Sequence, residues 1–306
     1  TEHRAPHKIV KAHGCTIPDT RIENAFFGIY LANVTDCRIT GNVISGSSRT
    51  EVASGNGIHL WSSSAITIDS NVIRGHRDGI YFEFVKASEI RGNTSEGNLR
   101  YGLHFMYSDD CRYAGNTFRA NGSGVAVMYT KRVAMLGNRF ERNWGSASYG
   151  LLLKEVYDVR LDHNQFLRNT VGLVADGANR LQASHNQFEA NRWGVRLLAS
   201  TDSGRFTANN FAANTFDIAT NSRRSSTEFA GNYWDAYRGY DLNRDGVGDV
   251  PFRPVRLFSM LAEANAPTLI LLRSLVVDVL DAAERILPTL TPETVIDRSP
   301  AMRRVP

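Results

Sequence analysis

Three cysteines in 306 residues, Cys15, Cys37 and Cys111, are odd in number and widely spaced, so no disulfide framework and no CxxC metal site is read from them. Long apolar runs are missing as well. The most apolar segment, Thr268 to Leu280, is interrupted by Arg273 and Asp278, so the chain is not expected to span a membrane by itself. There is no Walker-type phosphate loop to drive transport or phosphoryl transfer. Basic runs are absent: the 35 Lys and Arg are interspersed with 31 Asp and Glu, and a formal charge of +4 spread in this way describes a solvated surface rather than a nucleic-acid footprint. The sequence opens at Thr1 with neither Met nor a charged-then-apolar leader, as expected if a signal peptide was removed or was never present.

What is present is a repeat. A glycine followed by alternating apolar residues recurs at Gly28, Gly57, Gly79, Gly102, Gly124, Gly150, Gly172 and Gly194, most steps being 22 or 23 residues. About 14 residues after each comes an asparagine, at Asn42, Asn71, Asn93, Asn116, Asn138, Asn164, Asn186 and Asn209, and Asn232 continues the series. Units this short, alternating with period two and rich in Val, Ile, Phe and Thr, cannot each bury their own apolar face, whereas stacked parallel coils can. The expected fold is therefore all-β: a single-stranded right-handed parallel β-helix of about nine coils of roughly 22 residues, with a C-terminal helical extension. The asparagine column is expected at turns, where Asn tolerates left-handed geometry and bonds its own backbone. Longer steps mark loop insertions near Ser45 to Ser54 and Trp144 to Tyr149. The parts are an incomplete coil or chain edge over 1–21, the β-helix over 22–235, an Asp/Gly-rich loop over 236–254, and a helix with an extended tail over 255–306.

The residue after each glycine should face inward, giving a core column of Ile29, Ile58, Ile80, Leu103, Val125, Leu151, Leu173 and Val195. A second inward column contains Cys37, Ile66, Cys111, Val133, Val159 and Leu181, which makes Cys37 and Cys111 buried small hydrophobes. Positions two and four after the glycine face outward. In the middle coils they gather His59, Trp61, Tyr81, Glu83, His104, Met106 and Met128 on one patch. Imidazole and thioether are the soft ligands that suit Cu(I), which singles out His104, Met106 and Met128, with His59 and Glu83 as further candidate ligands. The competing reading is an aromatic docking surface centred on Trp61 and Tyr81.

Asp241, Asn243, Asp245 and Asp249 take positions 1, 3, 5 and 9 of a calcium loop with Gly246 at position 6, although Phe252 stands where the bidentate Glu belongs. An Asx-rich turn explains the same residues. Beyond Pro254 the spacing becomes helical, with Leu257, Leu261, Leu269, Leu272, Val276 and Leu280 on an apolar face that either caps the open end of the solenoid or docks a membrane partner.

The runs RYGLHFMYSDDCRYAGNTF, GVAVMYTKRVAMLGNRF and GNYWDAYRGYDLNRDGVGDVPF, followed by the apolar helical tail, resemble NosD, the maturation-protein family of nitrous oxide reductase, from about Ile22 to Leu287. The resemblance implies a non-catalytic periplasmic β-helix, attached to the inner membrane through an ABC transporter made of the permease NosY and the ATPase NosF. It further implies that copper, as transient Cu(I), arrives from the chaperone NosL and goes to the copper centres of nitrous oxide reductase. The enzyme alternative is a polysaccharide lyase or epimerase, which needs a base and charge-neutralising groups. Asp109, Asp110, Lys131 and Arg132 are its weak candidates, and the DPHE-type motif of mannuronan epimerases is absent. A third alternative is a sugar-binding module using Trp61, Tyr81 and Tyr107.

Overall fold

The computed structural model describes residues 5–47, 49–222, 225–286 and 295–306. A coil is typically three short strands separated by turns, as in Asp78–Glu83, Glu89–Arg91 and Thr94–Glu96, the first two merging in one coil into the continuous strand Leu151–Asp162. Every strand pairs in parallel with its counterparts one coil away, so Ile80 lies between Ile58 and Leu103. First and second strands make up a 19-stranded sheet and third strands a 10-stranded one. The product is a right-handed parallel β-helix, the hand expected for a twisted strand returning to a parallel neighbour.

The ten third strands define one coil more than the repeat suggested. His7–Val10 pairs with Ile29–Ala32, and Thr16–Pro18 with Arg38–Thr40, so the expected incomplete edge is a full coil from His7 onward. This extra coil also corrects the reading of the cysteines. Cys15 and Cys37 are 22 residues apart, one coil, which sets their Cα atoms 4.4 Å apart and lets them form a disulfide. Cys37 is buried as expected, but as half of that bond. Cys111 is a free buried thiol, and burial pushes its pKa up to about 11.

Both inward columns are shut off from solvent, from Ile29 to Val195 and from Cys37 to Leu181. A third column begins with Ile22, Ile44, Ile73 and Ser95 and becomes an aromatic stack, Phe118, Phe140, Phe166, Phe188, Phe211 and Trp234, with successive rings 4.2–5.6 Å apart. The asparagines bond nearby backbone as expected, Nδ2 of Asn93 donating to the Arg91 carbonyl at 2.9 Å, but they are not themselves the left-handed residues. The left-handed residue of each turn is the one before the asparagine, Gly115 or Gly137 for example, while the asparagine builds a ladder. The backbone N–H and Nδ2 of Asn116 both donate to Oδ1 of Asn138, at 3.0 and 2.9 Å, and Nδ2 also reaches the Ile90 carbonyl. A second ladder runs five residues later through Asn98, Asn121, Asn143, Asn169, Asn191 and Asn214, and His76 stands at its head. These ladders satisfy the buried turn amides that would otherwise be orphaned.

At the C-terminal end the open coil is closed by 295–306, not by a helix. Asp297 is buried and its Oδ2 accepts from the Asn232 backbone N–H, from Asn232 Nδ2 and from Trp234 Nε1, terminating the first ladder. Within the expected extended tail, residues 295–306 are therefore docked; 287–294 lie outside the described residues. The helical segment is α1 (Leu257–Ala264), a 3-10 stretch (Ala266–Arg273) and α2 (Leu275–Ile286). It lies along the side of the solenoid, where Phe258 and Ala262 pack with Val174, Trp193, Phe216 and Ala219.

Candidate functional site

The wall formed by the first strands carries the outward residues singled out above. Register places His59 between Tyr30 and Tyr81, and Tyr81 between His59 and His104. Two residues on, Trp61 neighbours Glu83, Glu83 neighbours Met106, and Met106 neighbours Met128. His59, Trp61, Tyr81, Glu83, His104, Met106 and Met128 thus share one face. Coil stacking imposes this, because parallel strands in register set like positions about 4.8 Å apart.

The ring of His59 is sandwiched between Tyr30 and Tyr81, with centroids 4.8 and 4.9 Å away. Its Nδ1 lies 2.9 Å from Asn56 Nδ2, which donates to it. Tyr81 donates its hydroxyl to Glu83 at 3.1 Å, and burial together with the Glu83 charge pushes its pKa up to about 12. Tyr81 meets His104 edge-on at 5.2 Å, and Tyr101 covers the same imidazole at 4.8 Å. His104 is only 7% exposed, yet neither ring nitrogen has a hydrogen-bond partner.

Behind His104 lies a charged cluster that sequence reading missed. Asp78 is fully buried, receives a two-pronged bond from Arg100 at 2.9 and 2.5 Å, and lies 3.9 Å from both Arg77 and His104 Nδ1. Burial raises the Asp78 pKa, but His104 and Arg100 outweigh it and hold the carboxyl below its usual range. An anion fixed here favours a cation beside it. The signal was available: Asp78 and Arg100 sit just before successive glycine-led strands, 22 residues apart.

The patch has an aromatic margin. Phe84, Tyr107 and Tyr129 follow Glu83, Met106 and Met128, adopt left-handed φ values of 50–56°, and stack in the open at 5.2 Å spacings. Trp61 is 40% exposed nearby. The wall therefore sets a buried imidazole, His104, beside two half-buried thioether positions, Met106 and Met128, nitrogen and sulfur donors of the kind that suit a soft cation.

The remaining candidate residues lie elsewhere. In the 241–249 loop the carboxylates serve their own backbone: Asp241 accepts from the Asp245 and Gly246 N–H groups, Asp245 from Val247, and Asp249 from Leu242. Of the apolar helical residues, Leu269, Leu272 and Leu280 pack toward the solenoid, a correction to their reading as one docking face, and Leu257 is half-buried. Leu261 and Val276 face outward, joined by Ile270, Leu271, Leu275 and Val279. The expected face is split because the side wall, not the open end, supplies the packing surface. No helix among the described residues is long and apolar enough to cross a membrane.

Solved structures share the architecture at low identity. A periplasmic alginate epimerase, AlgG, superposes with a TM-score of 0.56 at 14% identity over 71% of this chain and 68% of its own. The enzymatically active domain of tailspike protein 2 from bacteriophage CBA120 gives 0.60 at 9% identity over 74% of this chain and 43% of its own. These likenesses concern the fold alone. Two relatives named probable ABC transporter binding protein NosD come from Stutzerimonas stutzeri, 27% identical over 95% of this chain and 70% of that protein, and from Pseudomonas aeruginosa, 28% identical over 95% and 72%. Residues 44–239, well over half of the chain, match the family described as periplasmic copper-binding protein (NosD). The chain belongs to the NosD family.

Proposed function

We propose that this chain is the periplasmic, non-catalytic subunit of an ABC transporter and takes part in copper handover during assembly of the copper centres of nitrous oxide reductase. The observation that carries the reading is His104: buried, with neither ring nitrogen in a hydrogen bond and only the Asp78 carboxylate near Nδ1 at 3.9 Å, on a strand whose Met106 neighbours Met128 one coil on. Copper is cargo in this reading. His104, Met106 and Met128 are its ligands for Cu(I), and His59 and Glu83 border the path along the same wall. The exposed rings of Trp61, Phe84, Tyr107 and Tyr129 supply a docking rim for a copper donor of the NosL kind, since exposed aromatics around a desolvated centre are the usual anchors of transient interfaces. The outward residues of α1, α2 and the 3-10 stretch, Ile270, Leu275 and Val279 among them, face the permease, NosY, which works with the ATPase NosF and holds the subunit at the inner membrane. The Cys15–Cys37 disulfide suits an oxidising compartment such as the periplasm.

The epimerase or lyase alternative draws only on fold likeness. Its acidic candidates are already engaged, Asp110 with Arg132 at 2.5 Å and Asp109 with the Lys131 backbone N–H at 3.0 Å. Titration with Cu(I) against a competing chelator tests the proposal. His104→Ala with Met106→Leu is expected to weaken affinity at least ~10-fold; undiminished affinity overturns the assignment.

A further inference from the structure

We infer that Asp162, His163 and His185 form a second metal site, for a borderline divalent ion of the zinc(II) type, at the corner between the second and third strands. The site is independent of the copper reading, because it lies off the first-strand wall and uses none of its residues.

Leu151–Asp162 ends in a turn whose next residue, His163, is left-handed with φ 55°; one coil on, His185 repeats it with φ 53°. Most other coils place glycine there, at Gly41, Gly92, Gly115, Gly137 and Gly231. An imidazole at such a position carries a backbone cost that glycine avoids. Coil stacking then sets the two rings face to face, 4.8 Å apart and 17° from parallel. Both Nδ1 atoms converge on a single oxygen, Asp162 Oδ1, at 3.1 and 3.2 Å. All three donor atoms lie within 4.8 Å of one another.

A tetrahedral ion with bonds of about 2.0–2.2 Å separates its ligand atoms by roughly 3.3 Å, so the nitrogen–oxygen distances already match, and seating the ion requires the two stacked rings to tilt toward each other. Two imidazoles and one carboxylate are borderline and hard donors, which favour zinc(II)-type ions over the soft Cu(I) that thioethers select. The remaining shell is in place. Ser184 donates to the same Oδ1 at 2.9 Å, and Arg160 holds the other oxygen, Oδ2, at 2.8 Å, fixing the carboxylate so that Oδ1 faces the rings. His163 and His185 open onto a groove walled by Gln187 and by Arg304–Pro306, and Val305 is pinned there by paired bonds to Asn210 at 2.8 Å. Solvent reaches the fourth position through this groove.

Calorimetric titration of the chain with zinc(II) in a non-chelating buffer tests the inference. Wild type is expected to bind one ion, and His163→Gly with His185→Gly, which restores the glycine of other coils and so preserves the turn, is expected to lose at least ~10-fold in affinity. Asp162→Asn should weaken binding as well, whereas Met106→Leu with Met128→Leu should leave it unchanged. Absence of zinc binding in wild type overturns the site, as does equal affinity in the His163→Gly, His185→Gly variant. Either result leaves the copper reading standing.

Discussion

His76 heads the second asparagine ladder with a fully buried ring, and both ring nitrogens lack hydrogen-bond partners. Burial lowers its pKa from 6.5 to about 4. In the unfolded chain the ring protonates near its ordinary value, while in the fold it stays neutral. The depressed pKa therefore contributes stability that is fully present above pH ~6.5 and is lost as pH falls through the window down to ~4. The change from 6.5 to about 4 corresponds to roughly 3 kcal/mol. Asparagine fills this column in every following coil through Asn214, so His76→Asn removes the titration and extends the ladder. Urea midpoints measured from pH 7.5 to pH 4 are expected to fall more steeply for wild type than for His76→Asn, the gap in unfolding free energy reaching roughly 3 kcal/mol by pH 4. Parallel pH profiles for the two proteins refute the reasoning.

Asn138→Ala removes the acceptor of the Asn116 N–H and Nδ2 and the side-chain donor to the Tyr113 carbonyl, and at about 1–3 kcal/mol for each buried group left unpaired it is expected to cost several kcal/mol in urea unfolding; a loss under ~1 kcal/mol contradicts the ladder's role. Ile270→Asp with Val279→Asp, both on the outward helical face, should abolish co-purification with the permease while leaving the melting temperature near wild type. Because Asp241, Asp245 and Asp249 already serve backbone N–H groups, removing calcium with a chelator is expected to leave the melting temperature unchanged; a clear drop favours an ion in that loop.

The repeat was legible because period-two alternation and a 22-residue step leave one consistent register, and Ile29 to Val195 and His59 to Met128 fall where that register puts them. Several other features follow the same step and were missed for want of applying it. Cys15 and Cys37 are one coil apart, as are His163 and His185, and the second ladder lies a constant five residues beyond the first. Asp78 illustrates a different difficulty: an acid beside a strand reads as surface until its coil neighbours, Arg100 and His104, are known to enclose it. The helical segment could not be placed from its own pattern, since Phe258 and Ala262 find a surface made by Trp193 and Phe216 of distant coils. The role of Asp297 was equally hidden, because a ladder's terminator is defined by where the chain returns and not by its spacing.

X-ray absorption at the copper edge on Cu(I)-loaded protein addresses the central claim most directly. The account predicts sulfur together with nitrogen in the copper coordination shell of wild type, with the sulfur contribution gone in Met106→Leu, Met128→Leu and the nitrogen diminished in His104→Ala. A shell of nitrogen and oxygen alone in wild type, or sulfur that survives loss of both methionines, contradicts it.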